Sequence, residues 1–187
     1  MVAGRAYPAA LWFIPVAAVA AATMGCNGRV DEERIGRAGQ RMAVGGLRVE
    51  AHHAEDGSAT NNEIKPVLRI VNAGGSAISL SDLTLRYYFT SEGAAASGSV
   101  CYWAAVGCQN LQHQVSRLAE PAVGADSVLE LRFGAGAGSL APGASTGELK
   151  LAVHKSDWTA YDEADDHSYL AGATTFAAAP HVALFHE

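Results

Sequence analysis

The stretch Leu83-Thr84-Leu85-Arg86-Tyr87-Tyr88-Phe89 decides the fold class. Leu83, Leu85, Tyr87 and Phe89 fall on one side of an extended chain, with Thr84, Arg86 and Tyr88 on the other. Successive side chains of a strand point to opposite faces, so a period of two marks a strand with one face toward a core. The same pattern runs through Leu47, Val49 and Ala51, which alternate with Arg48 and Glu50. It returns in Leu129, Leu131 and Phe133, in Leu149, Leu151 and Val153, and in Val182, Leu184 and His186. Val67 to Val71 is a mostly apolar run ended by the turn residues Asn72-Ala73-Gly74-Gly75. Many short strands bounded by turns predict an all-β sandwich or barrel.

The chain has 187 residues, enough for one domain with a sizeable core. Hydrophobic residues make up 49%, but much of that is alanine, which contributes little to burial. With 20 glycines as well, long amphipathic helices are not expected. The net charge of −6 leaves no electrostatic footprint for DNA or RNA. A neutral glycan is indifferent to that sign.

Residues 1–25 read as a signal peptide. Arg5 is a minimal basic region, and Ala9 to Ala22 is an apolar run too short to span a bilayer. Thr23-Met24-Gly25-Cys26 follows, a small residue before a Cys, similar to the bacterial lipoprotein cleavage box, although Thr23 stands where that box has Leu. Cys26 is then the lipidated residue and the anchor to a membrane, with several acyl chains needed for stable attachment. The alternative is ordinary secretion with Cys26 an incidental thiol. Residues 26–45 are a polar tether, and residues 46–187 the domain. The location implied is the cell surface or periplasm as a lipoprotein, and otherwise the secreted fraction. Setting Cys26 aside leaves Cys101 and Cys108, an even pair that an oxidising compartment can join in a short disulfide loop. Two buried or free thiols are the alternative.

Asp162-Glu163-Ala164-Asp165-Asp166 concentrates like charges that repel unless solvated or neutralised by a cation. Hard carboxylate oxygens suit calcium, but the spacing is not that of an EF-hand, so a second segment is required. A solvated acidic loop is the alternative. Gly134 to Ser139 lacks the Lys-Ser/Thr of a P-loop and reads as a strand connection. His52 and His53 point to opposite faces of a strand and cannot chelate one metal. His113, His154, His167 and His181 are scattered, and no nucleophile elbow or pair of cleft carboxylates is evident. No catalytic constellation is found.

Four segments occur in a fixed order: Asn61-Asn62-Glu63-Ile64-Lys65-Pro66, then residues 70–90 (IVNAGGSAISLSDLTLRYYFT), residues 140–151 (LAPGASTGELKL) and residues 155–169 (KSDWTAYDEADDHSY). Together they resemble a family-3 carbohydrate-binding module, over roughly Leu47 to Phe185. The resemblance implies a jelly-roll β-sandwich of two antiparallel sheets, which agrees with the reading from periodicity. It implies non-catalytic binding of cellulose or a related β-glucan through a planar aromatic strip. Stacked aromatic rings bury the axial C–H faces of pyranose rings, and several must be coplanar because each contact is weak.

By the same resemblance Trp158 matches the strip's most prominent aromatic, and Trp103 falls where the family commonly has an aromatic or a His. Tyr102 stands where an Asp is common, and Ala152 where that Asp's Arg partner would be. Both halves of the ion pair are absent, which is coherent, since one alone would be an unpaired charge. Tryptophan is highly buried on average, so a core role for Trp103 and Trp158 is the alternative. The resemblance also supplies a second segment for structural calcium. Thr90 and Glu92 match the family's Thr and Asp, Asp165 and Asp166 match its Asn or Asp and Asp, and Asp162 sits where a backbone carbonyl serves. The family usually continues into a final apolar strand where this chain stops at His186-Glu187, so an exposed sheet edge, or a partner covering it, is expected. A partner enzyme is a further expectation. Two rival readings stand beside this one: a structural or sensory surface lipoprotein that kept the fold and lost sugar binding, and a small hydrolase.

Overall fold

The computed structural model describes Met1, residues 46–53 and residues 58–187. The signal peptide, the lipidated Cys26 and the tether expected before residue 46 lie outside the described residues.

The strands are β1 (Leu47–His53), β2 (Thr60–Asn61), β3 (Glu63–Ile64), β4 (Pro66–Asn72), β5 (Ile78–Ser79), β6 (Leu83–Phe89) and β7 (Ser97–Ala104). After them come β8 (Leu111–Ala122), β9 (Ala125–Phe133), β10 (Ser139–Leu140), β11 (Leu149–Lys155), β12 (Tyr161–Asp162), β13 (Ala177–Ala178) and β14 (Ala183–His186). A six-stranded sheet runs β13-β1-β4-β11-β3, with β7 on the other edge of β11, and a four-stranded sheet runs β14-β6-β9-β8. Every pairing is antiparallel, and the two sheets face one another as a jelly-roll sandwich.

The inward phase of each strand fills the space between the sheets. Leu83, Leu85, Tyr87 and Phe89 of β6 meet Leu129, Leu131 and Phe133 of β9, and opposite them lie Val49, Leu68, Ile70, Leu149, Leu151 and Val153. Burying one such side chain is worth about 1.5–3 kcal/mol, so this alternation is what commits the chain to a sandwich.

The outer face of β6 is less exposed than alternation alone implies. Thr84 and Tyr88 are buried, and Tyr88 joins Val128, Ala125 and Ala183 in a second apolar cluster with Leu118 and Phe185 packed on it. The segment before β14 locks onto the same strand: the Tyr88 N–H donates to Ser168 Oγ at 2.8 Å, and Ser168 N–H returns to the Tyr88 carbonyl at 3.1 Å.

Two local features carry the acid-rich loop to its place. The short β2–β12 ladder sets Asn61 opposite Tyr161, and Gly124 turns the β8–β9 hairpin at φ +71°. A Cβ at Gly124 would collide with the Asp165 carbonyl, so only glycine lets the hairpin close on that loop.

Candidate functional site

Along β11 the inward residues are Leu149, Leu151, Val153 and Lys155, and the outward ones are Lys150, Ala152 and His154. On one edge β7 pairs Trp103 with Lys150 and Gly98 with His154. Directly opposite residues share a sheet face, so Trp103 stands on the outer face beside Lys150. Trp158, in the turn after β11, lies flat on the His154 ring, with centroids 4.7 Å apart and planes 10° apart. Both indoles therefore occupy one outward face. Their anchor points, Lys150 and His154, are about 13 Å apart along the strand at about 3.3 Å per residue.

Between them sits Tyr102. The register shifts at Lys150/Leu151, so Trp103 pairs with Lys150 and Cys101 with Leu151, and Tyr102 is the extra residue of a bulge. Its hydroxyl donates to Glu63 Oε1 at 2.5 Å, and Glu63 belongs to β3, on the opposite edge of β11. The phenol thus crosses β11 between Lys150 and His154, over Ala152. Ala152 is outward in phase yet 0% exposed, and a longer side chain there would occupy the phenol's path. Trp103 is 57% exposed, Tyr102 56% and Trp158 53%, the described residues' large surface aromatics. The core alternative for these rings is thus at odds with their exposure.

The turn that presents Trp158 is strained. Trp158 has φ +58°, a left-handed conformation that costs an L side chain about 1–2 kcal/mol. The Trp158 N–H donates to the Lys155 carbonyl at 3.1 Å, while Asp157 Oδ1 accepts from Thr159 N–H at 3.2 Å and Thr159 Oγ1 at 2.9 Å. Cys101 and Cys108 are joined as a disulfide, which ties the Tyr102-Trp103 segment of β7 to the helical turn Cys108–Asn110.

The second cluster lies where β6 ends. Carboxylate oxygens of Glu92, Asp165 and Asp166 come within 4.8 Å of one another. Thr90 Oγ1 is 2.9 Å from Glu92 Oε1, 2.9 Å from Asp166 Oδ1 and 3.2 Å from Asp165 Oδ1. A hydroxyl has one proton, so it can satisfy one of these oxygens while the others crowd its lone pairs. Asp166 Oδ2 is buried without a partner among the described residues. Burial pushes the Asp166 carboxyl up to about 7, with Glu92 and Asp165 adding to the shift and hydrogen bonds from Thr90 opposing it. This donor set, rich in hard oxygens and short of protons, fits a calcium ion. Asp162, expected to serve through its backbone carbonyl, uses its side chain elsewhere. Its carboxylate turns away to cap the Glu163–Asp165 helical turn through the Ala164 N–H at 3.2 Å, and its own N–H meets Glu92 Oε1 at 3.2 Å.

The sequence reading assigned no role at the site to Lys155, Glu63 or His154. Lys155 is 1% exposed, donates to the Ala160 carbonyl at 2.7 Å and the Glu92 carbonyl at 3.1 Å, and lies 4.4 Å over the Tyr161 ring. It stands at an inward phase of β11, and a lysine at a core position was the signal available. Glu63 and His154 underlie the exposed rings. Glu163 is buried with Oε2 lacking a partner among the described residues, and burial, ahead of the Asp166 charge, pushes its carboxyl to about 8.

Residues 48–187 match the family described as Cellulose binding domain. The CBM3b of the scaffoldin subunit ScaA of Acetivibrio cellulolyticus is similar at a TM-score of 0.70 and 38% identity, covering 75% of this chain and 91% of that one. Beta-mannanase/endoglucanase A of Caldicellulosiruptor saccharolyticus is 37% identical over 134 residues, which are 72% of this chain and 10% of that enzyme. An uncharacterized protein in the celA 5' region of Paenibacillus lautus is 40% identical over 134 residues, 72% of this chain and 91% of that one. The chain spans only 20% of Endoglucanase A of Paenibacillus lautus. The matched region covers the sandwich, and this chain belongs to the cellulose-binding domain family, the family-3 carbohydrate-binding modules, which bind and do not cut.

Proposed function

We propose that this domain binds cellulose or a related β-glucan on the outer face of its six-stranded sheet, with Trp103, Tyr102 and Trp158 as a row of stacking rings. The observation that carries this reading is that the two tryptophans, 55 positions apart in sequence, share one face and are each more than half exposed. An apolar ring left in water costs free energy unless a ligand covers it, and the flat pyranose face is the surface these rings fit. A domain that had abandoned sugar binding would have no reason to hold Trp158 in a left-handed turn.

Calcium, held by Thr90, Glu92, Asp165 and Asp166, plays a structural part in this reading. It ties the end of β6 to the loop after β12 and relieves the crowding of the three carboxylates. Export directed by residues 1–25, a lipid anchor on Cys26 and a tether to residue 45 would set the domain at a cell surface or in the periplasm. There it could hold a cell or a partner enzyme against insoluble polysaccharide.

The test is a depletion assay on microcrystalline cellulose, xylan and chitin, with and without chelator. Wild type binds cellulose, and Trp158→Ala and Trp103→Ala each weaken it at least tenfold. Full retention by Trp158→Ala sinks the row of rings as the binding surface.

A further inference from the structure

The exposed rings of the platform rest on two polar side chains that face each other across a strand pair. In the β3–β11 ladder Glu63 is the direct partner of His154. Glu63 accepts the Tyr102 hydroxyl, and His154 carries the Trp158 indole. We infer that Glu63 and His154 are positioning residues that set the planes of Tyr102 and Trp158 for stacking on a glycan, an inference that rests on the proposed binding face.

The geometry of His154 says what it contributes. Its Nδ1 is buried and has no hydrogen-bond partner among the described residues. Nδ1 therefore brings no hydrogen bond to the site from the described residues, and a buried unsatisfied polar atom costs about 1–3 kcal/mol. What the imidazole does offer is a flat surface parallel to the indole. With one indole face against His154, the other is directed away from the sheet, and half the residue stays exposed. Gly98 is the cross-strand neighbour, and a Cβ there would make ordinary van der Waals contact with the imidazole at 3.6 Å.

Glu63 acts on the phenol. Tyr102 is the extra residue of a bulge and lies outside the Cα register of the β7–β11 ladder. A charge-assisted hydrogen bond to Glu63 restrains the phenol where it crosses Ala152. Lys65 lies 3.6 Å from the other Glu63 oxygen, so the carboxylate is restrained in turn. Both devices remove rotamer freedom from the rings before a ligand arrives, and less entropy is then lost on binding.

The experiment uses the full chain and measures cellulose binding isotherms, near-ultraviolet circular dichroism and thermal unfolding. His154→Ala should weaken binding about tenfold, the upper end of what an aromatic stack is worth. It should also change the indole dichroism while the protein stays folded. His154→Phe keeps a flat support and discards the unmet nitrogen, so it should bind within about twofold of wild type and unfold no earlier. Glu63→Ala should weaken binding about threefold, and Glu63→Gln, which still offers Oε1 to the phenol, should restore most of the loss. Wild-type binding and dichroism in His154→Ala overturn the inference, as does equal loss in His154→Ala and His154→Phe, which would make the imidazole a direct ligand. If Trp158→Ala loses binding while His154→Ala does not, the platform stands and only its support is refuted. If Trp158→Ala itself binds as wild type, both fall.

Discussion

Lys155 places its ammonium nitrogen 3.1 Å from the backbone carbonyl of Glu92, 63 residues earlier in the chain. The same nitrogen lies 3.4 Å from Glu92 Oε2 and 2.7 Å from the Ala160 carbonyl. One buried cation therefore joins the Glu92 segment of the acidic cluster to the turn that presents Trp158. Lys155→Met leaves two carbonyls without their donor and Glu92 without its counter-ion. Each buried carbonyl left without its donor costs about 1–3 kcal/mol. The melting temperature should fall by about 10 °C, and cellulose binding should weaken even below the transition. A thermal scan and a binding isotherm on the same variant check both halves, and an unchanged melting temperature refutes the role.

Calcium should stabilise the domain by binding only its native state. At a free concentration about a hundredfold above Kd the gain is about 2.7 kcal/mol. Differential scanning calorimetry in calcium and in chelator measures it. Asp166→Asn should abolish the increment, because it removes the most buried of the clustered carboxylates. An equal calcium response in that variant places the ion elsewhere.

Replacing Trp158 separates stability from binding. Glycine tolerates φ +58° and alanine does not, so Trp158→Gly should be about 1 kcal/mol more stable than Trp158→Ala. Both should lose cellulose binding alike. Equal stability of the two variants would remove the claim of backbone strain at this turn.

The disulfide holds the aromatic segment of β7. Its loop has a sequence separation of 7, for which chain entropy assigns about 2 kcal/mol. The double variant Cys101→Ser/Cys108→Ser should lose about that much by urea titration. Its binding should weaken as well, since Tyr102 and Trp103 adjoin Cys101.

His53 gives the domain an acid limit. Burial of its ring, the largest effect, together with the neighbouring His52, holds its pKa below the ordinary 6.5 against the hydrogen bond to the Leu170 carbonyl. A depressed pKa means that the fold favours the neutral ring. The associated stability is complete above pH 6.5 and is lost as pH falls through the folded value. Melting temperatures from pH 7.5 down to 4.5 should fall more steeply for wild type than for His53→Gln. Parallel curves would assign the acid sensitivity to other groups.

The sequence by itself determined which residues face inward. Period two in Leu83 to Phe89, Leu129 to Phe133 and Leu149 to Val153 identifies the core because alternation is a property of one strand and needs no partner. It also carried the aromatic and acidic residues that the family resemblance singled out. What only the tertiary structure decided is how the strands combine. That Trp103 and Trp158 share a face follows from the Trp103–Lys150 pairing and the His154 stack. That Tyr102 reaches Glu63 follows from a one-residue bulge, and a register shift of one residue reverses every side chain beyond it. The Asp162 N–H meeting Glu92 Oε1, and Lys155 reaching the Glu92 carbonyl, depend in the same way on which loops meet. Pairing between segments 40 to 80 residues apart is set by the packing of the whole sandwich, and no local pattern encodes it.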